Sequence, residues 1–153
     1  MSKIMEAVDV HVPVRTAYDQ WTQFESFPAF MEGVKSVRQL DATTLEWVAD
    51  IAGREKRWKA TITEQEPDQR IAWTSTEGAH NAGVVTFHRL DDATSRVALQ
   101  LDVAPEGPVE NAGDALGLVT RRVKGDMERF RDFIEARGTE TGAWRGEVDQ
   151  TAT

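Results

Sequence analysis

Residues 44–76, TLEWVADIAGREKRWKATITEQEPDQRIAWTST, decide the fold. Three runs of alternating residues lie in this stretch, separated by Ala52-Gly53-Arg54 and Pro67-Asp68-Gln69. One phase holds Leu45, Trp47, Ala49 and Ile51, then Trp58, Ala60 and Ile62, then Ile71, Trp73 and Ser75. The other phase is polar: Thr44, Glu46 and Asp50, then Arg57, Lys59, Thr61 and Thr63, then Thr74 and Thr76. Side chains alternate across a strand, so one phase means one face. The runs therefore predict antiparallel strands with a wet face and a bulky apolar face carrying three indoles. Short turns recurring about every ten residues imply hairpins rather than crossovers.

The same reading extends outward. Val8, Val10 and Val12 alternate with Asp9 and His11 and predict a strand over 4–12. A short helix follows over 15–22, with Ala17, Tyr18 and Trp21 on one side. A second short helix spans 24–31, dense in Phe24, Phe27, Phe30 and Met31, and Gly33 stops it. Six strands occupy 34–104. The first breaks alternation, since Val34 and Val37 differ in phase; a bulge or an edge position accounts for that. Val85 and Phe87 share a face, as do Val97, Leu99 and Leu101. Pro105-Glu106-Gly107-Pro108 ends the strands and starts a helix that runs to Arg137 and Gly138. Its stripe is Ala112, Leu116, Val119, Val123, Met127, Phe130 and Ile134. The only apolar surface large enough to receive that stripe is the tryptophan face, so the sheet curls around the helix. Residues 139–153 lack periodicity and are expected to form a flexible tail behind a single domain over 1–138.

Composition narrows the function. The chain has 153 residues, 40% hydrophobic and 29% charged, with no cysteine and a net charge of −8. One domain of that length buries a core without disulfides. The lack of cysteine removes thiol nucleophiles and cysteine-based metal sites and suits a reducing cytoplasm. The first residues show no signal-peptide core, and no apolar run approaches the roughly 20 residues of a membrane span. A net negative field repels phosphate backbones, so nucleic acid is not an expected partner. No two histidines stand at ligand spacing, and no phosphate-binding or nucleophile-elbow motif is present, so no metal or cofactor is expected. Nothing in the chain sets an oligomeric state.

The order strand, two short helices, six strands, long helix resembles the helix-grip fold of the START-like superfamily. Residues 17–31, AYDQWTQFESFPAFM, resemble the opening segment of its bacterial polyketide cyclase/dehydrase and coenzyme Q-binding branch. So do Trp58 to Glu64, Arg70 to Trp73, Gly83 to Phe87 and Asp126 to Ile134. The resemblance covers about residues 4–137. It implies an α+β domain: a curved seven-stranded antiparallel sheet wrapped around a long C-terminal helix, with two short helices between strands 1 and 2. It also implies an apolar cavity between helix and sheet that opens near the short helices.

Each candidate residue has a plain and a functional reading. Trp47, Trp58 and Trp73 fill the core or offer flat walls to a ligand. Phe27, Phe30 and Met31 cap the core or form an adaptable gate. Val85, Phe87, Leu99, Leu101 and Leu116 supply apolar lining. Thr120 bonds back to its helix or faces the pocket. Ser75 sits in water at a strand end or orients a ligand carbonyl. Glu64 is solvated, or is a buried acid with a raised pKa. Tyr18 is core or a proton donor. His11 and His88 take the polar phase, and His80 lies in a loop that could overhang a mouth. Arg121, Arg122 and Lys124 form a solvated face or a dock for an acidic carrier or headgroup. Trp144 packs back onto the domain or meets a partner. The expected function is binding or carriage of a hydrophobic small molecule: a polyketide, lipid or quinone-like compound. The alternatives are a polyketide aromatase/cyclase and an interaction or stress-linked scaffold with little cavity.

Overall fold

The computed structural model describes residues 2–51, 53–78, 81–103, 112–146 and 148–149. The expected helix start at Pro105–Pro108 and the loop residue His80 lie outside them, as do the side chains of Ala112 and Leu116.

Strand β1 (Ser2–Val10) leads into helix α1 (Val14–Trp21) and a 3-10 helix (Phe24–Ala29). The meander follows: β2 (Val34–Gln39), β3 (Thr44–Ile51), β4 (Arg54–Glu66), β5 (Arg70–Gly78), β6 (Asn81–Asp91) and β7 (Thr94–Val103). Helix α2 spans Ala112–Arg137, and a two-residue strand β8 (Val148–Asp149) closes the order. The sheet runs β1-β7-β6-β5-β4-β3-β2, antiparallel throughout, with β8 added beside β4. This is the expected curled seven-strand sheet gripping the C-terminal helix. The eighth strand was not expected, because two residues carry no periodicity.

The sequence signals act as physics requires. Val34 and Val37 differ in phase because β2 is an edge strand and its register against β3 shifts between Val34 and Ser36. Gly138 leaves α2 at φ 73°, and its N–H donates to Ile134 O at 2.8 Å, the left-handed exit a glycine supplies at low cost. The second short helix is a 3-10 turn of six residues, tighter than an α-helix, with Pro28 inside it. Val123, Met127, Phe130 and Ile134 are buried along one side of α2. They join Ile4, Val8, Val10, Trp21, Phe30, Ile71, Val85, Phe87 and Val97 in one core.

Strand β4 carries a local departure. Its register against β5 shifts between Ile62 and Glu64. A bulge inserts a residue and reverses the side-chain phase beyond it. Gln65 therefore turns inward and is buried, while Glu64 stays on the outer side and pairs with Arg70 at 3.0 Å. Of the two readings of Glu64, the bulge thus excludes the buried acid: the carboxylate sits on the outer side in an ion pair.

Residues 139–146, expected to be a flexible tail, lie along α1. Thr141 N donates to Gln20 Oε1 at 2.8 Å and Trp144 N to Thr22 Oγ1 at 3.1 Å. Arg145 reaches Asp19 at 2.6 Å and Asp68 at 2.8 Å and lies over the Tyr18 ring at 5.6 Å. Beyond it β8 pairs with Glu64 and Gln65, where β4 outruns β3. These anchors are polar and distant in sequence, so no local pattern announces them.

Candidate functional site

A cavity of about 160 Å³ lies between the sheet and α2. Its wall comes from β3, β4 and β5. Trp47 and Trp58 are register partners, and their rings stack 5.6 Å apart at 8°. Trp73 stands opposite Ile62 and Gly83. A Cβ at Gly83 would sit 2.8 Å from the Trp73 ring and 2.6 Å from Gln100 O, so only glycine lets the indole lie flat there. Leu45, Ile62, Ile71, Leu99 and Leu101 complete the sheet side, and Val123 and Met127 supply the helix side. Trp21, Phe24, Phe27 and Met31 close the end nearest the short helices.

Of the four indoles that line the cavity, two differ in what their N–H groups meet. Trp73 Nε1 donates to Asn81 Oδ1 at 2.9 Å, and Asn81 itself lines the cavity. Trp47 Nε1 is buried without an acceptor among the described residues.

One rim is polar. Arg122 Nη1 donates to Glu32 O at 3.0 Å and Asp50 O at 3.3 Å. Asp126 Oδ1 accepts from Glu32 N at 3.0 Å and from the Arg129 guanidinium. Arg129 Nε donates to Phe30 O at 3.0 Å. Three side chains of α2 thus hold the backbone of residues 30–33, the segment that carries Met31 to the cavity. Gly33 makes this possible: its φ is 87°, and a Cβ there would meet Arg122 Nη1 at 1.9 Å. Burial pushes the Asp126 carboxyl above its usual range, outweighing Arg129 and the Glu32 N–H.

Seven of the residues read from sequence meet in this cavity: Trp47, Trp58, Trp73, Phe27, Met31, Leu99 and Leu101. Five stand elsewhere. Phe30 turns into the core against Phe130 and Phe133, each 5.3 Å away. Phe87 packs on Tyr18 at 5.2 Å, and Val85 is fully buried beside it in the core. Ser75 Oγ accepts from Asn81 N at 3.1 Å, bracing a lining residue from behind. Thr120 is half-buried on α2 and outside the lining. The side chain of Leu116 is outside the described residues.

Three further readings are settled by position. Tyr18 is fully buried beside Gln65, and burial pushes its hydroxyl up to about 12, outweighing Gln65 and Arg145. It faces Phe87 and Arg145 rather than the cavity. His11 and His88 are exposed. Arg121 and Lys124 are exposed, whereas Arg122 turns to the cavity mouth rather than to a solvated face. The missed lining residues Arg122 and Asp126 follow Val119 and Val123 by three positions, so they border the apolar stripe. That spacing was the available signal. Among the described residues no group of three His, Cys, Asp or Glu is placed to hold a metal, and no helix is long and apolar enough to cross a membrane.

Comparison with known proteins places this geometry. The family described as "Polyketide cyclase / dehydrase and lipid transport" matches residues 10–131. A 17.2 kDa protein of Streptomyces lincolnensis from the melC2-rnhH intergenic region is 56% identical over 149 residues, 97% of this chain and 99% of that protein. The Zhui aromatase/cyclase from a Streptomyces species superposes with a TM-score of 0.78 at 17% identity, over 94% of this chain and 99% of its own. A START superfamily protein from Mycobacterium smegmatis gives a TM-score of 0.67 at 17% identity, over 83% and 97%. At these identities the two structures share the fold alone.

Proposed function

Because the chain belongs to the polyketide cyclase/dehydrase and lipid-transport family, we propose that it binds a hydrophobic small molecule between the sheet and α2. A polyketide, a lipid or a quinone-like compound fits that description. The observation that carries this reading is the cavity itself, a largely apolar space walled by three tryptophans. Protein interiors otherwise close to crystal-like density, so a void kept open beside such large rings supports a guest over a scaffold role. An apolar cavity of about 150 Å³ takes up benzene. A space of about 160 Å³ therefore suits one ring.

Native mass spectrometry of protein purified from its own host tests the reading. The expected result is a non-covalent adduct of an apolar compound that is lost when Trp58→Ala or Met127→Trp alters the cavity. Protein of bare mass whose tryptophan fluorescence ignores a panel of apolar aromatic probes would refute it.

A second reading, ring closure of a polyketide chain, is favoured by Arg122 and Asp126 at the rim. A guanidinium stabilises negative charge on a ketone oxygen, and a carboxyl whose pKa is raised by burial holds its proton longer than an ordinary one and can pass it to a guest. A linear poly-β-ketone thioester offered to the protein separates the two. Acceleration over buffer that falls in Asp126→Asn supports cyclisation; capture without acceleration supports carriage.

A further inference from the structure

The C-terminal segment is fastened to the end of the cavity. The last turn of α1 and the residue after it bury three polar side chains, Asp19, Gln20 and Thr22, while Trp21 between them lines the cavity. Buried polar groups need partners, and residues 139–146 supply them. Gln20 Nε2 donates to Thr141 Oγ1 at 3.1 Å, and Thr141 N donates back to Gln20 Oε1 at 2.8 Å. Thr22 Oγ1 accepts from Trp144 N at 3.1 Å, and Arg145 ties Asp19 to Asp68 in the β4–β5 turn. A Cβ at Gly142 would stand 2.6 Å from Gln23 Oε1, so this strap lies close against the end of α1.

The strap holds the weakest wall. Phe27 packs 5.5 Å from Trp21 and 5.5 Å from Phe24, and all three rings line the cavity. Phe24 and Phe27 stand on the 3-10 helix, whose hydrogen bonds are poorer than those of an α-helix. The facing walls are strands inside the ladder and the 26-residue helix α2, and moving either breaks many bonds at once. Local opening is drawn from the least stable elements, here the short-helix end. Resting on the binding function proposed above, we propose that residues 139–146 are a kinetic latch, which fastens α1 and the 3-10 helix over the cavity and lets go for a guest to enter or leave. A latch that closes again over the bound guest slows entry and exit by the same factor and leaves affinity unchanged. A segment that only adds stability leaves both rates alone.

Fluorobenzene, a single apolar ring, tests this. Its 19F exchange spectra give the exit rate and a titration gives Kd, so the entry rate follows. Arg145→Ala removes the tie between Asp19 and Asp68. Thr141→Pro works by a separate route, removing the N–H and the hydroxyl that hold Gln20. Each is expected to speed entry and exit together about tenfold and to keep Kd within about twofold. Val97→Ala, a fully buried position outside the cavity lining, is the control for simple destabilisation and is expected to change neither rate. If the unaltered protein takes up fluorobenzene and neither strap variant speeds its exchange, or Val97→Ala speeds it as much, the latch is overturned and the binding function stands. A Kd weakened about tenfold at an unchanged entry rate also overturns it, since the strap then supports the bound state instead of gating it. If the unaltered protein takes up no fluorobenzene, the binding function falls and the latch with it.

Discussion

Replacing Arg145 with alanine tests the docking of the C-terminal segment, and its effect can be worked out from the contacts. Arg145 bonds Asp19 at 2.6 Å and Asp68 at 2.8 Å; its side chain is 28% exposed, and that of Asp19 only 2%. Among the described residues Arg15 alone then remains beside Asp19 as a cation, at 3.7 Å with a side chain 68% exposed. Removing one partner of a fully buried pair costs about 3–5 kcal/mol; partial exposure of the arginine lowers the expectation to about 2–3 kcal/mol at neutral pH. For a domain of this size that is a fall of about 4–12 °C in melting temperature. The deficit depends on pH. Burial already raises the Asp19 carboxyl above 3.8, and loss of Arg145, which opposes that rise, lifts it further. A group with a raised folded pKa favours the fold below its unfolded value and loses that contribution as pH rises through the folded value. Arg145→Ala therefore recovers part of its loss on acidification, because a protonated Asp19 needs no counter-ion. Adding Asp19→Asn to Arg145→Ala restores most of the deficit at neutral pH. Urea denaturation of the unaltered protein, Arg145→Ala, Asp19→Asn and the double variant at two pH values measures all of this. An Arg145→Ala effect within about 0.5 kcal/mol, unchanged by pH, would refute the docking.

Other perturbations read different parts of the fold. Phe130→Ala removes a fully buried ring 4.9 Å from Trp21 and 5.3 Å from Phe30. It costs about 3–5 kcal/mol in chemical denaturation. Gly33→Ala places a Cβ 2.8 Å from Asp50 O and 1.9 Å from Arg122 Nη1 at φ 87°. It costs about 1–3 kcal/mol and accelerates hydrogen exchange at Glu32, whose N–H bonds Asp126. Asp126→Asn removes a carboxyl whose folded pKa is raised by burial. Its contribution is present below the ordinary 3.8 and is lost as pH rises through the folded value, so the unaltered protein gains stability relative to Asp126→Asn on acidification across that window. Parallel denaturation curves at neutral and acid pH give the difference, and equal responses would place the carboxylate in solvent.

Much of this architecture is local in origin. Alternation over 44–51, 57–63 and 70–76 put three indoles on one face, because side-chain direction along a strand depends only on parity. The stripe from Val123 to Ile134 faced the core because four residues make slightly more than one turn. The irregular start at Val34 and Val37 pointed to a bulge or an edge position, and β2 has both. These patterns made Trp47, Trp58, Trp73, Phe27, Met31, Leu99 and Leu101 legible as apolar positions, whereas the cavity was implied by the resemblance to the helix-grip fold. Phe30, Val85 and Phe87 were not separable from them: core and cavity lining use the same residue types, and only packing decides which rings touch empty space.

Glu64 shows where parity fails. A single shifted residue after Ile62 exchanges it with Gln65, and no local signal marks the bulge. Arg122 and Asp126 acquire their place from residues 30–33, about ninety positions away in the chain. The same holds for Arg145, whose two carboxylates come from α1 and the β4–β5 turn. Sequence by itself determined which elements form and which faces are oily, since propensity and periodicity act within a few residues. Tertiary structure alone decided where the interior stays open, which charges reach its mouth and which indole lacks an acceptor, since each depends on contacts between segments that the chain keeps far apart.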